Sequence, residues 1–488
     1  MNHSFRNIEL LSPGKIPTVF LPGWSFDGSI LHLLKPTPAW IYPENPLDPV
    51  TIEQDLLSLL HAENVRKVRI VGWSMGAMLG LEFATRHRDL VQSLILVSLR
   101  SRWPDHEMKE IRAEFSRNSE AFLKNFYRKC FLGDRQAYRK FCTTLENTYL
   151  AALNKNRERL QLGLDFLEKF KLPSPVVPTI TTRMIHGGQD IIAPVAEIPS
   201  FPETAVEIID NAGHAVFLHE DSSLQQELRK QVVQAKFSRA ADSYDSYAKV
   251  QADVARRLTA MLPAAEEKPG YKTILEIGCG TGNFTTMLAD RFPGAKIVAL
   301  DFSPEMIAKA RQKMKTAAIE FVCAEGEQFL EEAAAGSFDL LASNGALQWF
   351  SNIDRTLADI ARILSPHGTF LCSIFGPESL RELGQGLESI QAISESLAAQ
   401  KFPRPERLQS ALDLYFHKGT VKEELIEKEY RSAHDLLLHI KKTGTSGWQH
   451  NMQQPLTPAS VSRLDAWFEK TYGFCKVTYQ VFFLQGSN

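Results

Sequence analysis

The sequence predicts two successive α/β domains, each built on a parallel β-sheet covered by helices. Length is the first reason, because a chain of 488 residues exceeds what a single hydrophobic core usually supports. The second reason is that short β-branched and apolar runs alternate with longer helical patterns, which is typical of parallel sheets. This alternation occurs in both halves of the chain, and each half carries its own glycine-containing turn motif directly after a strand.

The predicted strands form one group in each half of the chain. In the first half we expect strands at 17–23, 67–74, 93–98, 182–188 and 206–210. In the second half we expect them at 273–278, 296–301, 319–324, 338–344 and 368–375. Residues 99–172 have an amphipathic helical pattern instead, which predicts a helical lid over the first sheet. We place the domain boundary near residue 235, which gives domains 1–235 and 236–488.

Composition and charge argue against several classes of protein. Acidic and basic residues nearly balance, 57 against 55, which is unlike a general binder of nucleic acids or anionic membranes. No run approaches the roughly 20 apolar residues of a membrane span, and the N-terminus lacks the pattern of a signal peptide. The cysteines are scattered without a CxxC pair, so we expect no metal site and no disulfide framework. These features together predict a cytoplasmic enzyme with reduced thiols.

The main motif of the first half is Gly72-Trp73-Ser74-Met75-Gly76, between a predicted strand and a predicted helix. Such a turn needs glycines on both sides because it holds the serine in a strained conformation with its hydroxyl exposed. A serine hydroxyl is a poor nucleophile at neutral pH unless a base removes its proton. We therefore interpret Ser74 as the nucleophile of a hydrolase.

The base and the acid that orients it are expected further along the chain, in the order Ser, Asp, His. Asp190 follows the strand 182–188, and His214 follows the strand 206–210 by a short loop. His186 precedes Asp190 inside the strand, and we interpret it as structural. The oxyanion is expected to bind the backbone N–H groups of Met75 and Trp24, each typically worth about 3 kcal/mol of transition-state stabilisation.

The main motif of the second half is Glu276-Ile277-Gly278-Cys279-Gly280-Thr281-Gly282, which follows a strand and precedes a helix. Glycines at this position let the backbone approach a bound ligand closely. Asp301 ends the next strand and supplies a carboxylate for the two ribose hydroxyls of a nucleoside. A glycine-rich turn followed by an acid also fits dinucleotide-binding folds, so these residues alone leave the nucleotide open.

The form E-x-G-x-G-x-G resembles motif I of class I methyltransferases rather than the GxGxxG of NAD enzymes. That resemblance implies S-adenosylmethionine as the bound co-substrate, with Glu276 at its methionine amino end and Asp301 at its ribose. It places Glu325 and Gly326 at the adenine edge, and Asn344 near the transferred methyl group. Methyl transfer to a carboxylate needs positioning more than acid–base catalysis, so the lack of an obvious base fits an O-methyltransferase.

Longer segments carry a more specific resemblance. The first half resembles pimeloyl-carrier-protein methyl ester esterases, which have an α/β-hydrolase fold, at LPGW (21–24), GWSMG (72–76), HGGQD (186–190) and NAGH (211–214). The second half resembles malonyl-carrier-protein O-methyltransferases, which have a class I Rossmann-like fold, at FSRAADSYDSYAKVQ (237–251), LEIGCGTGNFT (275–285), SNGALQWF (343–350) and LLLHIKKTGTSG (436–447). These resemblances imply a bifunctional enzyme of biotin-precursor synthesis. One half would methylate malonyl groups, and the other would hydrolyse the methyl ester of pimeloyl groups.

The resemblance also implies an acyl carrier protein as partner, with no role for nucleic acid or membrane. Carrier proteins are acidic, so a basic docking surface is expected, and the helical lid offers Arg128, Arg135, Arg139 and Lys140. Pro22 departs from the family pattern, because many α/β-hydrolases have a histidine there. Two alternatives stay open: an unrelated carboxylesterase fused to a small-molecule carboxyl methyltransferase, and a first half that is only a non-catalytic scaffold for carrier docking.

Overall fold

The computed structural model divides into two compact units, Met1–Arg229 and Lys230–Asn488. It describes residues 5–8, 16–173, 180–202, 204–262, 271–314, 318–392, 397–445 and 456–488. The boundary expected near residue 235 falls within the helix Ser223–Ala240, as does the division between the units. The last two residues of the 436–447 segment, 446 and 447, lie outside the described residues.

The first unit is built on a parallel sheet of five strands in the order β2-β4-β5-β6-β7, and a short antiparallel pair joins β1 to β3. The strands are β1 (Phe5–Arg6), β2 (Thr18–Leu21), β3 (Tyr42–Pro43), β4 (Val68–Trp73), β5 (Val91–Val97), β6 (Thr181–Gly187) and β7 (Val206–Ile209). All five strands predicted in the first half are confirmed. The central strands are apolar and buried on both faces over Ile70–Trp73 of β4 and Leu94–Val97 of β5, as is typical of parallel strands between helices.

The helices of this unit pack on the sheet and form the predicted insertion. They are α1 (Ile52–Ala62), α2 (Met75–Arg86), α3 (Asp105–Arg117), α4 (Ser119–Cys130), α5 (Arg135–Phe141), α6 (Asn147–Ala151), α7 (Leu153–Lys169) and α8 (Ser223–Ala240), which continues into the second unit. Helices α3 to α7 lie between β5 and β6 in the chain. The helical lid expected from 99 to 172 therefore corresponds to these five helices.

The second unit is built on a seven-stranded sheet in the order β10-β9-β8-β11-β12-β14-β13. Its strands are β8 (Thr273–Ile277), β9 (Lys296–Asp301), β10 (Ile319–Cys323), β11 (Phe338–Asn344), β12 (Leu364–Phe375), β13 (Lys418–Tyr430) and β14 (Cys475–Ser487). The five predicted strands pair in parallel, as expected. The sequence-based assignment did not include β13 and β14, which add to the sheet as an antiparallel pair.

The helices of the second unit lie between its strands and before the first of them. They are α9 (Tyr244–Tyr247), α10 (Lys249–Met261), α11 (Asn283–Arg291), α12 (Pro304–Lys313), α13 (Gly326–Glu332), α14 (Ile353–Ile363), α15 (Arg381–Ser389), α16 (Pro405–Tyr415), α17 (Ala433–Lys442) and α18 (Pro458–Tyr472). Two apolar clusters fill the space between sheet and helices, one centred on Ile274 and Leu340 and the other on Leu275 and Leu341. Adjacent residues of one strand thus serve opposite faces of the sheet.

The glycines around Ser74 are required by close packing. A Cβ atom added at Gly76 would lie 2.0 Å from the carbonyl oxygen of Leu21, and one added at Gly72 would lie 2.4 Å from the carbonyl oxygen of Gly76. Both neighbours are backbone atoms of the sheet and helix, which cannot yield locally. The first turn of α2 therefore packs directly against β2 and β4 only because these positions lack a side chain.

None of the helices formed by the described residues is long and apolar enough to cross a membrane.

The packing of Gly76 predicts that Gly76→Ala destabilises the first unit by about 3 kcal/mol, since overpacking against backbone forces a shift of β2 or α2. The matched control is Gly80→Ala in the same helix, where an added Cβ would lie 3.1 Å from a side-chain methyl of Ile70. Unfolding of the two variants in urea, followed by hydrogen exchange in peptides that cover β2 and β4, measures the loss of stability of the first unit. Equal midpoints for the two variants would contradict the packing argument.

Candidate active sites

Ser74 lies at the tight turn between β4 and α2. Its backbone has φ 55° and ψ −118°, a conformation that residues with a side chain rarely adopt. The turn is held because the N–H of Ser74 donates to the carbonyl of Val97 at 2.8 Å. The sharp reversal places the serine at the carboxyl end of the parallel sheet, where α/β proteins bind their ligands.

The structure brings Asp190 and His214 into direct contact. Nδ1 of His214 lies 2.8 Å from Oδ2 of Asp190, and both side chains are buried. Oδ1 of Asp190 accepts two backbone hydrogen bonds, from the N–H groups of Ile192 (2.9 Å) and Ala193 (2.8 Å). Burial alone would raise the pKa of Asp190, but the charge and hydrogen bond of His214 and the Ala193 N–H outweigh it and lower the pKa. Asp190 is therefore an anion that fixes the orientation of the imidazole.

The backbone of His214 is held beside the turn that carries Ser74. Its carbonyl accepts hydrogen bonds from the indole N–H of Trp73 (2.7 Å) and from the hydroxyl of Ser98 (2.8 Å). Nε2 of His214 is buried and has no hydrogen-bond partner among the described residues. This nitrogen is the atom that would receive the serine proton in a Ser-His-Asp triad.

The two expected oxyanion donors lie on either side of Ser74. Met75 is the first residue of α2, and N–H groups in the first turn of a helix have no acceptor within the helix. Trp24 lies in the loop after β2, which passes the serine closely, because a Cβ added at Gly23 would be 3.3 Å from Cβ of Ser74. This loop also contains Pro22, the position where the family pattern has a histidine.

The side chain of Trp24 connects this loop to the helical insertion, a role that the sequence did not reveal. Its indole N–H donates to the carbonyl of Leu160 in α7 at 2.9 Å. The ring packs edge-on against Phe115, Phe122 and Phe126 of α3 and α4. The insertion therefore packs aromatic side chains against the loop that is expected to bind the oxyanion. In the sequence, the many aromatic residues of the lid were the only indication of this contact.

The glycine motif of the second unit forms a turn of left-handed residues. Gly278, Gly280 and Gly282 have φ values of 74°, 54° and 86°. The N–H groups of Gly278 and Cys279 both donate to the carbonyl of Leu300 at the end of β9. Among the residues that the structure describes, a Cβ at Gly280 would have only a ring carbon of Tyr244 within 4 Å, at 4.0 Å, so these residues leave space above this glycine. The turn thus forms a cradle at the carboxyl edge of the sheet.

Two buried carboxylates lie beside this cradle. Burial raises the pKa of Glu276 to about 8, and the negative charge of Asp301 adds to the effect. Oε2 of Glu276 is buried without a hydrogen-bond partner among the described residues. Asp301 accepts from the N–H groups of Gly280 (2.9 Å) and Ser303 (2.8 Å), and burial raises its pKa to about 6. A carboxyl group with one unpartnered buried oxygen next to a glycine cradle fits a ligand with a cationic amino group and a nucleoside.

The remaining predicted residues of this site make contacts that the sequence did not indicate. Glu325 is the N-cap of α13: its carboxylate accepts from the N–H of Gln328 (3.0 Å) and from Nζ of Lys230 (2.9 Å). Asn344 ends β11, where it donates to the carbonyl of Gln251 (3.0 Å) and accepts from the hydroxyl of Ser373 (2.9 Å). Both side chains therefore have internal partners, which a ligand would share or replace.

Asp245 in α9 is a residue of this site that sequence reasoning missed. Its carboxylate accepts hydrogen bonds from the hydroxyl of Thr281 and from the amide of Asn283 (2.9 Å), and it pairs with Lys313 (3.1 Å). The N-terminal segment of the unit thereby holds the glycine turn from outside. The sequence did contain an indication of this role, because Asp245 lies within the segment 237–251 that resembles the malonyl-carrier-protein O-methyltransferases.

The basic residues proposed for carrier docking separate into two groups. Arg128, Arg135 and Arg139 are exposed on α4 and α5. Lys140 instead donates to the carbonyls of His32 (2.9 Å) and Leu33 (3.1 Å), so it stabilises the end of a 3₁₀ turn. The docking hypothesis therefore depends on the three arginines.

Neither unit has an arrangement suited to a metal ion among the described residues, since no three His, Cys, Asp or Glu side chains converge there.

Two family models match successive parts of the chain. Residues 18–225 match the model described as "Alpha/beta hydrolase family", and residues 275–372 match the model described as "Methyltransferase domain". The malonyl-[acyl-carrier protein] O-methyltransferase of Acetivibrio thermocellus is 32% identical over 52% of this chain and 93% of that protein. The biotin biosynthesis bifunctional protein BioHC of Cellvibrio japonicus is 28% identical over 69% of this chain and 70% of that protein.

The predicted folds, an α/β-hydrolase with a helical lid followed by a class I Rossmann-like methyltransferase, are confirmed. The chain joins a carboxylic ester hydrolase unit to a methyltransferase unit whose methyl donor is S-adenosylmethionine. Since the chain covers nearly the whole length of the Acetivibrio relative at more than 30% identity, it belongs, through its second unit, to the malonyl-[acyl-carrier protein] O-methyltransferase family.

Proposed function

We propose that the chain installs and later removes one methyl ester during the synthesis of a biotin precursor. The methyltransferase domain, 236–488, methylates the free carboxylate of a malonyl group on an acyl carrier protein. The hydrolase domain, 1–235, releases methanol from the methyl ester of the pimeloyl group that results from chain elongation. The observation that carries the proposal is that one chain holds both a buried Asp190–His214 pair beside a serine turn and a glycine cradle beside the unpartnered Oε2 atom of Glu276.

In the hydrolase, Ser74 Oγ attacks the ester carbonyl while its proton passes to Nε2 of His214. Asp190, held anionic by backbone N–H groups, stabilises the imidazolium that forms. The N–H groups of Met75 and Trp24 bind the oxyanion, and the positive end of α2 adds to this stabilisation. Methanol leaves with the proton from His214, and water then cleaves the acyl-enzyme by the same steps in reverse order.

In the methyltransferase, the bound S-adenosylmethionine supplies an electrophilic methyl group. Glu276 would accept from the amino group of the donor, and Asp301 would accept from its ribose hydroxyls. Glu325 has one interaction on each oxygen already, so an adenine contact would share an oxygen, which a carboxylate allows. Asn344 borders the acceptor. The malonyl carboxylate needs no base because it attacks the methyl group as an anion.

The charge of the malonyl carboxylate explains why both activities are useful. Burying an unpaired carboxylate in the apolar tunnels of acyl-elongating enzymes is costly, by several kcal/mol or more. A methyl ester removes the charge for as long as elongation lasts. Hydrolysis at the pimeloyl stage restores the carboxylate and ends elongation. We expect the helical insertion, whose aromatic side chains pack against Trp24 in the loop beside Ser74, to select the longer acyl chain over malonyl methyl ester.

The two sites are expected to fail independently. Ser74→Ala abolishes ester hydrolysis and leaves methyl transfer to malonyl-carrier protein unchanged, because only the first site loses its nucleophile. Asp301→Ala has the reverse effect, through loss of the ribose contact. Activity assays with each carrier-bound substrate measure both variants. Loss of both activities in one folded variant would contradict two separate sites. Faster methylation of malonyl-CoA or of free fatty acids than of malonyl-carrier protein would favour the alternative of a small-molecule carboxyl methyltransferase.

Donor binding is expected to release a proton near neutral pH. The pKa of about 8 means that Glu276 is mostly protonated at pH 7 in the free protein, and it must ionise to accept from an ammonium group. The affinity for S-adenosylmethionine therefore rises with pH between 6 and 7, by up to about tenfold per unit. Calorimetry in buffers of different ionisation enthalpy measures the released proton. Glu276→Gln should remove it, and an unchanged proton release in this variant would contradict the assignment.

The exposed arginines predict a docking effect specific to carrier-bound ester. Arg135→Glu with Arg139→Glu raises KM for pimeloyl-carrier methyl ester about tenfold through charge repulsion, while hydrolysis of a small soluble methyl ester is unchanged. The matched control is Arg66→Glu with Lys67→Glu, two exposed cations before β4 and so at the opposite end of the sheet from Ser74. If both double variants raise KM equally, the effect is general charge and the proposed docking surface is wrong.

A further inference from the structure

His186 is a buried histidine that the proposed hydrolysis does not use. It lies near the end of β6, and its side chain is 1% exposed. Its Nε2 atom lies 2.6 Å from the carbonyl oxygen of Ala193. A carbonyl oxygen can only accept, so Nε2 must carry a proton. Burial lowers the pKa of His186, which makes the neutral Nε2–H tautomer the form that donates.

The residue that His186 holds is part of the loop that supports Asp190. Ala193 accepts from His186 at its carbonyl and donates its own N–H to Oδ1 of Asp190 at 2.8 Å. Nε2 of His186 is 3.7 Å from Oδ2 of Asp190, which is too far for a hydrogen bond. His186 therefore reaches the carboxylate through the backbone of Ala193, whose carbonyl and N–H lie on either side of its Cα, rather than directly.

The same loop is held from a second side by Arg100. This guanidinium is almost fully buried, donates to the carbonyl of Ile192 at 3.1 Å, and pairs with Glu107 and Glu197. The N–H of Ile192 is the other donor to Oδ1 of Asp190. The two residues whose N–H groups bind Asp190 thus have their own carbonyls held by buried side chains. Arg100 holds the Ile192 carbonyl, which shares a peptide group with the Ala193 N–H, and His186 holds the Ala193 carbonyl.

We propose that His186 is a positioning residue of the hydrolase site, whose Nε2–H fixes the Ala193 carbonyl, and with it the backbone of residue 193, so that Asp190 is held in line with Nδ1 of His214. This inference rests on the proposed esterase function. Without the donor, the Ala193 carbonyl is a buried acceptor with no partner, and the loop relaxes. The Asp190 carboxylate then turns away from the imidazole, and Ser74 loses its base without any change in the catalytic residues themselves.

The test compares three variants of the full chain by the rate at which a fluorophosphonate labels Ser74. His186→Leu removes the donor, whereas His186→Gln keeps an N–H at a similar reach. Leu56 is a buried residue of α1 with no role in the proposed site, so Leu56→Ala is the control for a general loss of stability. The low-field proton resonance of the His214–Asp190 hydrogen bond, assigned by its loss in Asp190→Asn, reports the geometry directly.

We expect His186→Leu to slow labelling about ten- to hundredfold and to shift or broaden the low-field resonance, since small misplacements of catalytic groups have effects of this size. His186→Gln should restore most of the rate, and Leu56→Ala should leave rate and resonance unchanged. A His186→Leu protein with wild-type labelling and resonance overturns the inference. If the wild-type protein is not labelled at all, the proposed esterase function fails instead, and the non-catalytic scaffold becomes the better account of the first unit.

Discussion

Both sites depend on a chain that must reverse direction immediately after a buried parallel strand. In the first unit the reversal occurs at Ser74, whose positive φ is tolerated because Gly72 and Gly76 let α2 pack against the backbone of β2. In the second unit the reversal occurs over three left-handed glycines, from Gly278 to Gly282. Each turn brings polar groups to the carboxyl end of the sheet, although Ser74 itself is only 7% exposed. One turn presents a hydroxyl, and the other presents an open backbone cradle.

The buried carboxylates of the two units differ in a way that fits their proposed tasks. Asp190 has a lowered pKa because His214 and backbone N–H groups together outweigh burial. Glu276 has a raised pKa because burial is opposed by no cation among the described residues. A hydrolase triad needs a permanent anion to hold its base, whereas a binding site for a cationic co-substrate can leave its carboxylate uncharged until the ligand arrives. The same residue types therefore serve different roles because their surroundings differ.

Much of both folds follows from local sequence patterns, and the parts that were missed depend on distant contacts. The ten predicted parallel strands are present because each contains an apolar run that becomes buried between helices, and such a run can be recognised from the local sequence alone. Strand β13 was missed because it is rich in Lys and Glu and lies at the edge of the sheet, where one face meets solvent. Strand β14 pairs with β13. Its first half, CKVTYQV, alternates apolar and polar residues, a pattern from which a strand could have been predicted. The role of Lys140 could not be predicted either. Its hydrogen bonds to the carbonyls of His32 and Leu33 join residues more than a hundred positions apart, and no local sequence pattern indicates such a contact.

The central claim is that one chain both adds and removes the same methyl group, on acyl chains of different length. Intact mass spectrometry of carrier protein incubated with the purified wild-type chain tests it most directly. With a deuterated methyl donor, malonyl-carrier protein should gain one labelled methyl group and keep it. Under the same conditions, pimeloyl-carrier methyl ester should lose its methyl group. A malonyl-carrier protein that never gains mass, or a pimeloyl ester that persists, would contradict the account.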